Sequence, residues 1–508
     1  MARRGVPRTG AEGSRCHGNL RVSTVAAHAG RHRRTGFGTL PRRASDRLAR
    51  CLAAALLALR ALPAFAAEDT VLEHYIAAPD PSYRYELLNT IKGDGYTAAV
   101  LRMTAEQWRS PAEVDRPIWT HFLTIIRPLQ VRHRTSLLVL SGGASGKAPP
   151  TAANPFLAAL AVRTGSVVSE LRNLPNEPLT FAGETTPRSE DGIIAYSWDR
   201  YLRTGDASWP AQLPMTKSAV RAMDTIGGFC GSAAGGGVVI DRFVVEGASK
   251  RGWTAWLTAA VDKRVVAIIP VVADLLNLEP AFAHQHAVYG FWPPALHDYE
   301  SMGIMRWIGT PQMDALARIV DPYAYRDRLT LPKFILNSAG DQFFLPDSSR
   351  FYLAGLRGPT YLRDVANTNH SLRDSDATAS GAAFYEAFLS HAPMPDYAWR
   401  FEPDGSIRFE TRTKPSAVTL WQAHNPKARD FRLETIGPAY TAAVLSDQGG
   451  GVYIGKVPPP GAGYVAYFVE ATYPMPSGLP LKVTSGVRVM PDVEPYAVPP
   501  APAHPGNG

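Results

Sequence analysis

The stretch FVVEGASKRGW, residues 243–253, decides which fold we expect for this sequence. A run of apolar, β-branched residues predicts a strand, and it leads through Gly247 and Ser249 into a helix-type segment. A serine between a strand and a helix is either a nucleophile on a tight turn or an ordinary helix cap. The usual nucleophile turn is Gly-x-Ser-x-Gly, whereas here the second glycine, Gly252, comes one residue late. The motif alone therefore leaves both alternatives open.

The segments around this stretch alternate in the same way between buried strands and amphipathic helices. The predicted strands are short apolar runs: TSLLVL, RFVVEG, VVAIIPVV and KFILN. Helix-type segments such as NPFLAALAVRTG, SAVRAMDTI and KRGWTAWLTAAV lie between them. Such alternation is typical of a parallel sheet covered on both faces, so we predict an α/β fold with a doubly wound, mostly parallel sheet.

Composition and residue pattern divide the chain into four parts. We predict a basic leader over 1–66, the α/β domain over 67–394 and a proline-rich disordered tail over 493–508. Within the α/β domain, the long excursion 275–330 is rich in aromatic residues and histidines, and we interpret it as a cap over the site or, alternatively, as packing helices only. Residues 395–492 alternate apolar and polar positions between turns, which predicts a C-terminal antiparallel β-sandwich of the immunoglobulin or fibronectin-III kind.

The charge of the chain is unevenly distributed. Its formal net charge is +8, but residues 1–66 carry 13 arginines and two acidic residues, while the remainder carries 40 basic and 43 acidic residues. Because the chain after residue 66 carries a small net negative charge, it gives no support to a nucleic-acid partner. Within the leader, PRRASDRLAR, CLAAALLALRALP and AFAAED follow the order of a signal peptide, with cleavage expected near Ala66. We therefore expect a periplasmic or secreted bacterial protein; the alternative is a basic tail on a cytosolic enzyme.

The cysteines and the hydrophobic runs indicate whether disulfides, metal sites or membrane spans are expected. Cys16 and Cys51 lie in the leader, and Cys230 alone remains afterwards, so no disulfide within the mature chain is expected. No zinc-type Cys/His spacing is present, and we predict neither a metal nor another cofactor. The apolar run of the leader is too short to span a bilayer, so we expect no stable membrane insertion.

Three polar residues follow predicted strands in the order serine, aspartate, histidine. Ser249 follows RFVVEG, Asp341 follows KFILNSAG and His370 follows TYLRDVANTN. Because the carboxyl ends of parallel strands meet at one edge of a sheet, we expect these side chains to converge. The chain order is the one used by α/β-hydrolases, in which histidine activates the serine and aspartate orients the histidine. Asp274, which also follows a strand, is the competing acid.

Other candidate site residues surround this predicted triad. The backbone N–H groups of Lys250 and Gly143 are candidates for an oxyanion hole. Arg251 is a candidate contact for an acidic group of the substrate, or else a structural ion-pair partner. Four aromatic residues of the predicted cap are candidate pocket walls or core residues: Tyr289, Trp292, Tyr299 and Trp307. Three cap histidines compete with His370 as the base, and two of them suggest a weak metal pair: His284, His286 and His297.

Several long motifs in order resemble one family. These are EGASKRGWTAWLTAAVDKRV, GFWPPALHDY, DPYAYRDRLTLPKFILNSAGDQFFLPDSSRFY and NTNHSL. The sequence over about 68–490 is similar to the PhoPQ-activated pathogenicity-related proteins, exported bacterial proteins with an α/β-hydrolase core. The resemblance implies that Ser249 is the family serine, with Asp341 and His370 as its acid and base. The order Ser249-Lys250-Arg251-Gly252 also resembles the nucleophile turn of glucuronoyl esterases, which suggests ester cleavage on a carbohydrate.

The sequence therefore predicts an exported serine hydrolase, an esterase in the first place and a peptidase or amidase in the second. Its substrate is expected to be a small-molecule, glycan or peptide ester or amide, and the oligomeric state is left open. The alternative from a different class is a non-catalytic binding or signalling protein on a hydrolase scaffold, since fold does not establish function. Neither the substrate nor any role in virulence follows from the residues.

Overall fold

The computed structural model describes residues 70–497, and the predicted leader and most of the predicted tail lie outside them. The α/β part begins with helix α1 and contains nine strands. Its strands are β1 (Arg84–Gly93), β2 (Tyr96–Gln107), β3 (Ile118–Pro128), β4 (Thr135–Leu140), β5 (Val168–Arg172), β6 (Arg242–Ala248), β7 (Val265–Val271), β8 (Lys333–Ser338) and β9 (Thr360–Val365). Its helices are α1 (Val71–Ala77), α2 (Pro155–Thr164), α3 (Asp191–Thr204), α4 (Gln212–Gly231), α5 (Lys250–Val261), α6 (Leu278–Tyr289), α7 (His297–Ser301), α8 (Pro311–Val320) and α9 (Ala377–Ser390).

These nine strands form one mixed sheet in the order β1-β2-β3-β5-β4-β6-β7-β8-β9. The pairs from β5 to β9 in this order are parallel, while β1, β2 and β3 join antiparallel at one edge. The parallel strands are nearly all apolar because helices cover both of their faces, and β8 is buried at every position. The sheet order and the position of β6 confirm the predicted α/β-hydrolase fold.

Each face of the sheet has its own hydrophobic core. One core joins the sheet to α4, α5 and the segment between β7 and β8, with Trp256, Phe282 and Leu296 among its buried side chains. The other joins the opposite face to α2 and α9. The segment between β7 and β8 contains α6, α7, α8 and short 3-10 turns, and it packs over the carboxyl ends of the strands as the predicted cap.

The remaining strands form two antiparallel sheets. They are β10 (Tyr397–Phe401), β11 (Ile407–Thr411), β12 (Ala417–Asn425), β13 (Thr441–Val444), β14 (Val452–Gly455), β15 (Tyr464–Pro474), β16 (Pro480–Thr484) and β17 (Arg488–Met490), with the short helix α10 (Leu433–Ile436) between β12 and β13. One sheet has the order β10-β11-β14, and the other has β13-β12-β15-β16, with β17 also paired to β15.

The two antiparallel sheets share a hydrophobic core with the α/β part. Tyr467 and Val469 of β15 belong to the same buried cluster as Phe334 of β8 and Phe384 of α9. Residues 70–497 belong to one compact unit. The predicted β-sandwich therefore packs directly against the hydrolase sheet.

Candidate active site

Ser249 occupies the tight turn between β6 and α5. Its φ is 58° and its ψ is −126°, a backbone conformation that is strained for a residue other than glycine. The Ser249 side chain makes no capping hydrogen bond to α5, so the hydroxyl is not used to satisfy the helix terminus. Strain without a capping bond is the pattern of a nucleophile turn, and it decides against the helix-cap interpretation.

The position of Gly252, one residue later than in the usual motif, has a steric explanation. A Cβ atom on Gly252 would lie 2.7 Å from the carbonyl oxygen of Gly247 and 2.9 Å from the Cβ of Ala273. A Cβ on Gly247 would collide with the backbone of Arg251. Both glycines are therefore required for α5 to pack closely against the ends of β6 and β7, although the spacing differs from the usual motif.

Asp341 and His370 form a hydrogen-bonded pair at the ends of β8 and β9. The Nδ1–H of His370 donates to Oδ2 of Asp341 at 2.7 Å and lies 3.0 Å from Oδ1. Asp341 is buried, and its Oδ1 also accepts the backbone N–H of Phe343 at 2.7 Å. The backbone N–H of His370 donates to the side-chain oxygen of Gln342. These contacts fix both the carboxylate and the ring.

The other ring nitrogen of His370 is available. Its Nε2 is buried and has no hydrogen-bond partner in the described part of the chain. The ring packs against Phe343 and Phe344, with centroids 4.4 and 5.8 Å apart. Both phenylalanines and Ser249 line the same pocket, at the carboxyl ends of β6 and β8. The structure thus brings the predicted serine, histidine and aspartate to one rim of the sheet.

Asp274, the competing acid, is engaged elsewhere. Its carboxyl accepts the hydroxyl of Tyr352 and makes no hydrogen bond with His370. Burial raises the pKa of Asp274 to about 7. A carboxyl that bonds to a tyrosine and does not reach His370 cannot orient the imidazole, so the geometry favours Asp341.

The predicted oxyanion donors lie where a glycine loop meets the turn. Gly143 has a φ of 152°, and a Cβ there would lie 3.1 Å from the backbone nitrogen of Asn173. Asn173 donates its backbone N–H to the carbonyl of Gly142 at 3.1 Å, which holds the loop against β5. The backbone N–H groups of Gly143 and Lys250 donate to no other group within residues 70–497. Both remain available for a developing oxyanion.

Arg251 and Lys250 are paired inside the protein. Arg251 donates to Glu190 through Nη1 at 2.9 Å and Nη2 at 2.6 Å, and its Nε donates to the carbonyl of Leu174 at 2.5 Å. The Nζ of Lys250 lies 2.6 Å from Glu190 and 3.2 Å from Asp191. Arg251 is absent from the pocket wall and fixes the loop after β5 to α5, so its contacts fit the structural alternative rather than substrate binding.

Glu190 is the acceptor for both cations and was not identified from the sequence. Its φ of 51° is strained, and its backbone N–H donates to the carboxylate of Glu177 at 2.6 Å. Although burial alone would raise it, the neighbouring Arg251 and Lys250 lower the pKa of Glu190 to about 2. Burial and the charge of Glu190 together raise the pKa of Glu177 to about 7. No local sequence signal links residues 177 and 190 to the turn.

The predicted aromatic wall is only partly correct. Tyr299 lines the pocket of Ser249, but Tyr289 packs against Phe291 and under Arg432, away from it. Trp292 packs behind Phe282, with ring centroids 6.1 Å apart, and Phe282 itself lines the pocket. Trp307 is a core residue outside the pocket lining.

The structure places the cap histidines in other surroundings than His370, and His297 is exposed at the start of α7. His284 lies between Glu494 at 2.6 Å and Asp347 at 3.4 Å, and His286 packs against Trp292. Among residues 70–497, no three His, Cys, Asp or Glu side chains are grouped so that they could hold a metal ion. The suggested pair of His284 and His286 is therefore not part of such a group in this part of the chain.

Comparison with known sequences now adds to the geometry. The sequence profile of the family described as PhoPQ-activated pathogenicity-related protein matches residues 72–432. The chain belongs to this family. A relative from Dictyostelium discoideum, autocrine proliferation repressor protein A, is 34% identical over 463 residues, which span 84% of this chain and 92% of that protein.

Similar solved structures include carbohydrate esterases. Acetyl xylan esterase 1 from Thermoanaerobacterium sp. JW/SL YS485 has a TM-score of 0.43 and 13% identity, covering 63% of this chain and 92% of its own. A glucuronoyl esterase from Solibacter usitatus has a TM-score of 0.37 and 14% identity, covering 63% and 90%. At such identity a likeness concerns the fold, not the substrate.

Proposed function

We propose that this family member is a serine esterase that works through an acyl-enzyme on Ser249. The observation that carries the proposal is the hydrogen bond of 2.7 Å between His370 and the buried Asp341, with the free Nε2 of the ring at the rim where Ser249 sits on its strained turn. A serine hydroxyl is a weak nucleophile and needs such a base beside it.

Each group has a defined part in the proposed reaction. The Nε2 of His370 takes the hydroxyl proton while Oγ of Ser249 attacks the ester carbonyl. The carboxylate of Asp341 holds the proton on Nδ1 and stabilises the imidazolium. The backbone N–H groups of Lys250 and Gly143 bind the oxyanion, and the N-terminus of α5 favours its negative charge. The ring then protonates the leaving alcohol. In the second half of the reaction, Nε2 of His370 takes a proton from water while the water oxygen attacks the acyl carbonyl, and the ring returns the proton to Oγ of Ser249 as the acid leaves.

A fluorophosphonate probe tests this proposal because it reacts only with an activated serine. We expect wild-type protein to be labelled and Ser249→Ala to remain unlabelled. The matched control is Ser371→Ala, which removes an exposed serine beside His370 whose hydroxyl donates to Asn369 and accepts the backbone N–H of Arg373. If folded wild-type protein stays unlabelled, or Ser249→Ala is labelled equally, the proposal is wrong. Paired ester and anilide substrates then separate an esterase from a peptidase or amidase.

A non-catalytic signalling role is the second candidate. One observation favours it: the Dictyostelium relative is named as a repressor of proliferation rather than as an enzyme. In that case the antiparallel sheets would be the binding module. A folded, unlabelled wild-type protein that hydrolyses no ester would support this candidate.

We also propose that the protein is exported to the periplasm or secreted, with small-molecule, glycan or peptide substrates. The proposal is supported by the signal-peptide order within residues 1–66, which lie outside the described residues. No helix within residues 70–497 is long and apolar enough to cross a membrane. Fusing residues 1–66 to a phosphatase that is active only after export tests the leader. Activity should appear with the native fusion, and inactivity would contradict export.

A further inference from the structure

The pocket beside Ser249 has an apolar wall. Most of its lining side chains are large and hydrophobic, among them Trp253, Trp256, Leu276, Phe282, Leu296 and Phe344. The pocket and its open mouth enclose about 530 Å³ of empty space, but the centre of a water-sized group can lie in only about 30 Å³ of it. The enclosed part of the pocket is therefore small.

The wall cannot widen easily because it belongs to the main core. Trp256, Leu276, Phe282 and Leu296 are between 0% and 3% exposed and all belong to the hydrophobic cluster under the cap. Placing extra methylene groups into such a site forces neighbouring side chains out of their preferred rotamers. A ligand much larger than the cavity is therefore disfavoured.

The charged groups at the pocket are already neutralised by each other. Lys250 and Asp191 both line it, and the Nζ of Lys250 lies 3.2 Å from Asp191 and 2.6 Å from Glu190. The hydroxyl of Tyr299 donates to the other oxygen of Asp191 at 2.9 Å. A charged substrate group would have to displace these contacts, so the pocket favours an uncharged one.

We infer that this pocket receives the acyl half of the ester, and that the acyl group is short and uncharged, with one to three carbons beyond the carbonyl. This inference rests on the proposed function. It separates two kinds of carbohydrate ester. A sugar bearing a small acyl group places its bulk on the alcohol side, towards the open mouth, whereas an ester of a sugar acid would have to fit the sugar ring into the pocket.

The test is a series of esters with one alcohol and acyl chains of two, four and eight carbons. Once the cavity is full, each further methylene should lower kcat/KM by about tenfold, so the octanoate should fall at least a hundredfold below the acetate. The alcohol is held constant, and therefore any trend belongs to the acyl half. A methyl ester of glucuronic acid, which carries its sugar on the acyl side, should not be hydrolysed measurably.

Two variants of the pocket wall and one control variant test whether the acyl-chain preference depends on this pocket. Leu275→Ala opens the half-buried part of the wall and should raise the octanoate-to-acetate ratio by about tenfold. Ala273→Val narrows the pocket and should lower the butyrate-to-acetate ratio. Leu331→Ala removes a half-buried leucine outside the lining and should leave all ratios unchanged.

The outcomes distinguish this inference from the proposed function. Fluorophosphonate labelling at Ser249 together with equal or better hydrolysis of the octanoate or of the glucuronate ester overturns the inference and leaves the esterase intact. Ratios that do not respond to Leu275→Ala or Ala273→Val also overturn it. Absence of both labelling and hydrolysis overturns the proposed function itself.

Discussion

Replacing Asp341 by asparagine is the most direct test of how the candidate triad is organised. The substitution keeps the shape of the side chain, and its oxygen can still accept the backbone N–H of Phe343, now 2.7 Å from Oδ1. The amide NH₂ then takes the place of Oδ2, which accepts the Nδ1–H of His370 at 2.7 Å. Two donors cannot face each other, so the imidazole must carry its proton on Nε2.

This change of tautomer determines the expected magnitude. A ring protonated on Nε2 cannot accept the proton of Ser249, and the buried charge that stabilises the imidazolium is lost as well. The same change in a serine protease lowers kcat by about 10⁴-fold, which corresponds to about 5 kcal/mol in the activation free energy. We expect a comparable loss in acetate-ester hydrolysis and in the rate of fluorophosphonate labelling, with the circular dichroism spectrum unchanged.

Asp274→Asn is the matched control. Asp274 is an equally buried aspartate at the end of the neighbouring strand, but its carboxyl bonds to Tyr352 rather than to His370. We expect this variant to retain a rate within about tenfold of the wild type. The reasoning is refuted if Asp341→Asn keeps the wild-type rate while folded, or if Asp274→Asn is the more damaging change.

Three further predictions concern the framework of the site. Gly252→Ala places a Cβ 2.7 Å from a carbonyl oxygen of the nucleophile turn, and we expect labelling to slow by about ten- to a hundredfold; an unchanged rate would contradict the steric account. Arg429→Met removes the buried guanidinium that lies 2.7 Å from the buried carboxylate of Asp347 and leaves the more exposed Arg350 at 3.3 Å. Urea titration should show a loss of about 3 kcal/mol, against less than about 1 kcal/mol for the exposed control Lys456→Met. Burial raises the pKa of Asp274 to about 7, so its contribution to stability is complete below about pH 4 and is lost as the pH rises through 7. The free energy of unfolding should therefore fall between pH 4 and 8 by up to about 4 kcal/mol more in the wild type than in Asp274→Asn, and parallel pH profiles would refute this.

The sequence by itself determined the fold class and the chain order of the site. The strands TSLLVL, VVAIIPVV and KFILN could be predicted because strands covered on both faces are apolar at nearly every position. Within residues 395–492, whose alternation predicted antiparallel strands, AVTLWQAHN of β12 largely follows that alternation, whereas YVAYFVEATYP of β15 is buried at nearly every position. Strand β1 was missed because its residues are mostly polar and exposed at the edge of the sheet.

Only the tertiary structure decided which side chains meet. Asp341 and Asp274 both follow strands, and the sequence could not choose between them, because the choice depends on which carboxylate reaches His370 across neighbouring strands. Likewise, Arg251 is occupied by Glu190, which comes from a different part of the chain. The pocket wall joins residues as distant as Trp198 and Phe344. Local periodicity reports the neighbours of a residue along its own element, whereas a site at the rim of a sheet is built from contacts between elements, and those exist only once the chain has folded.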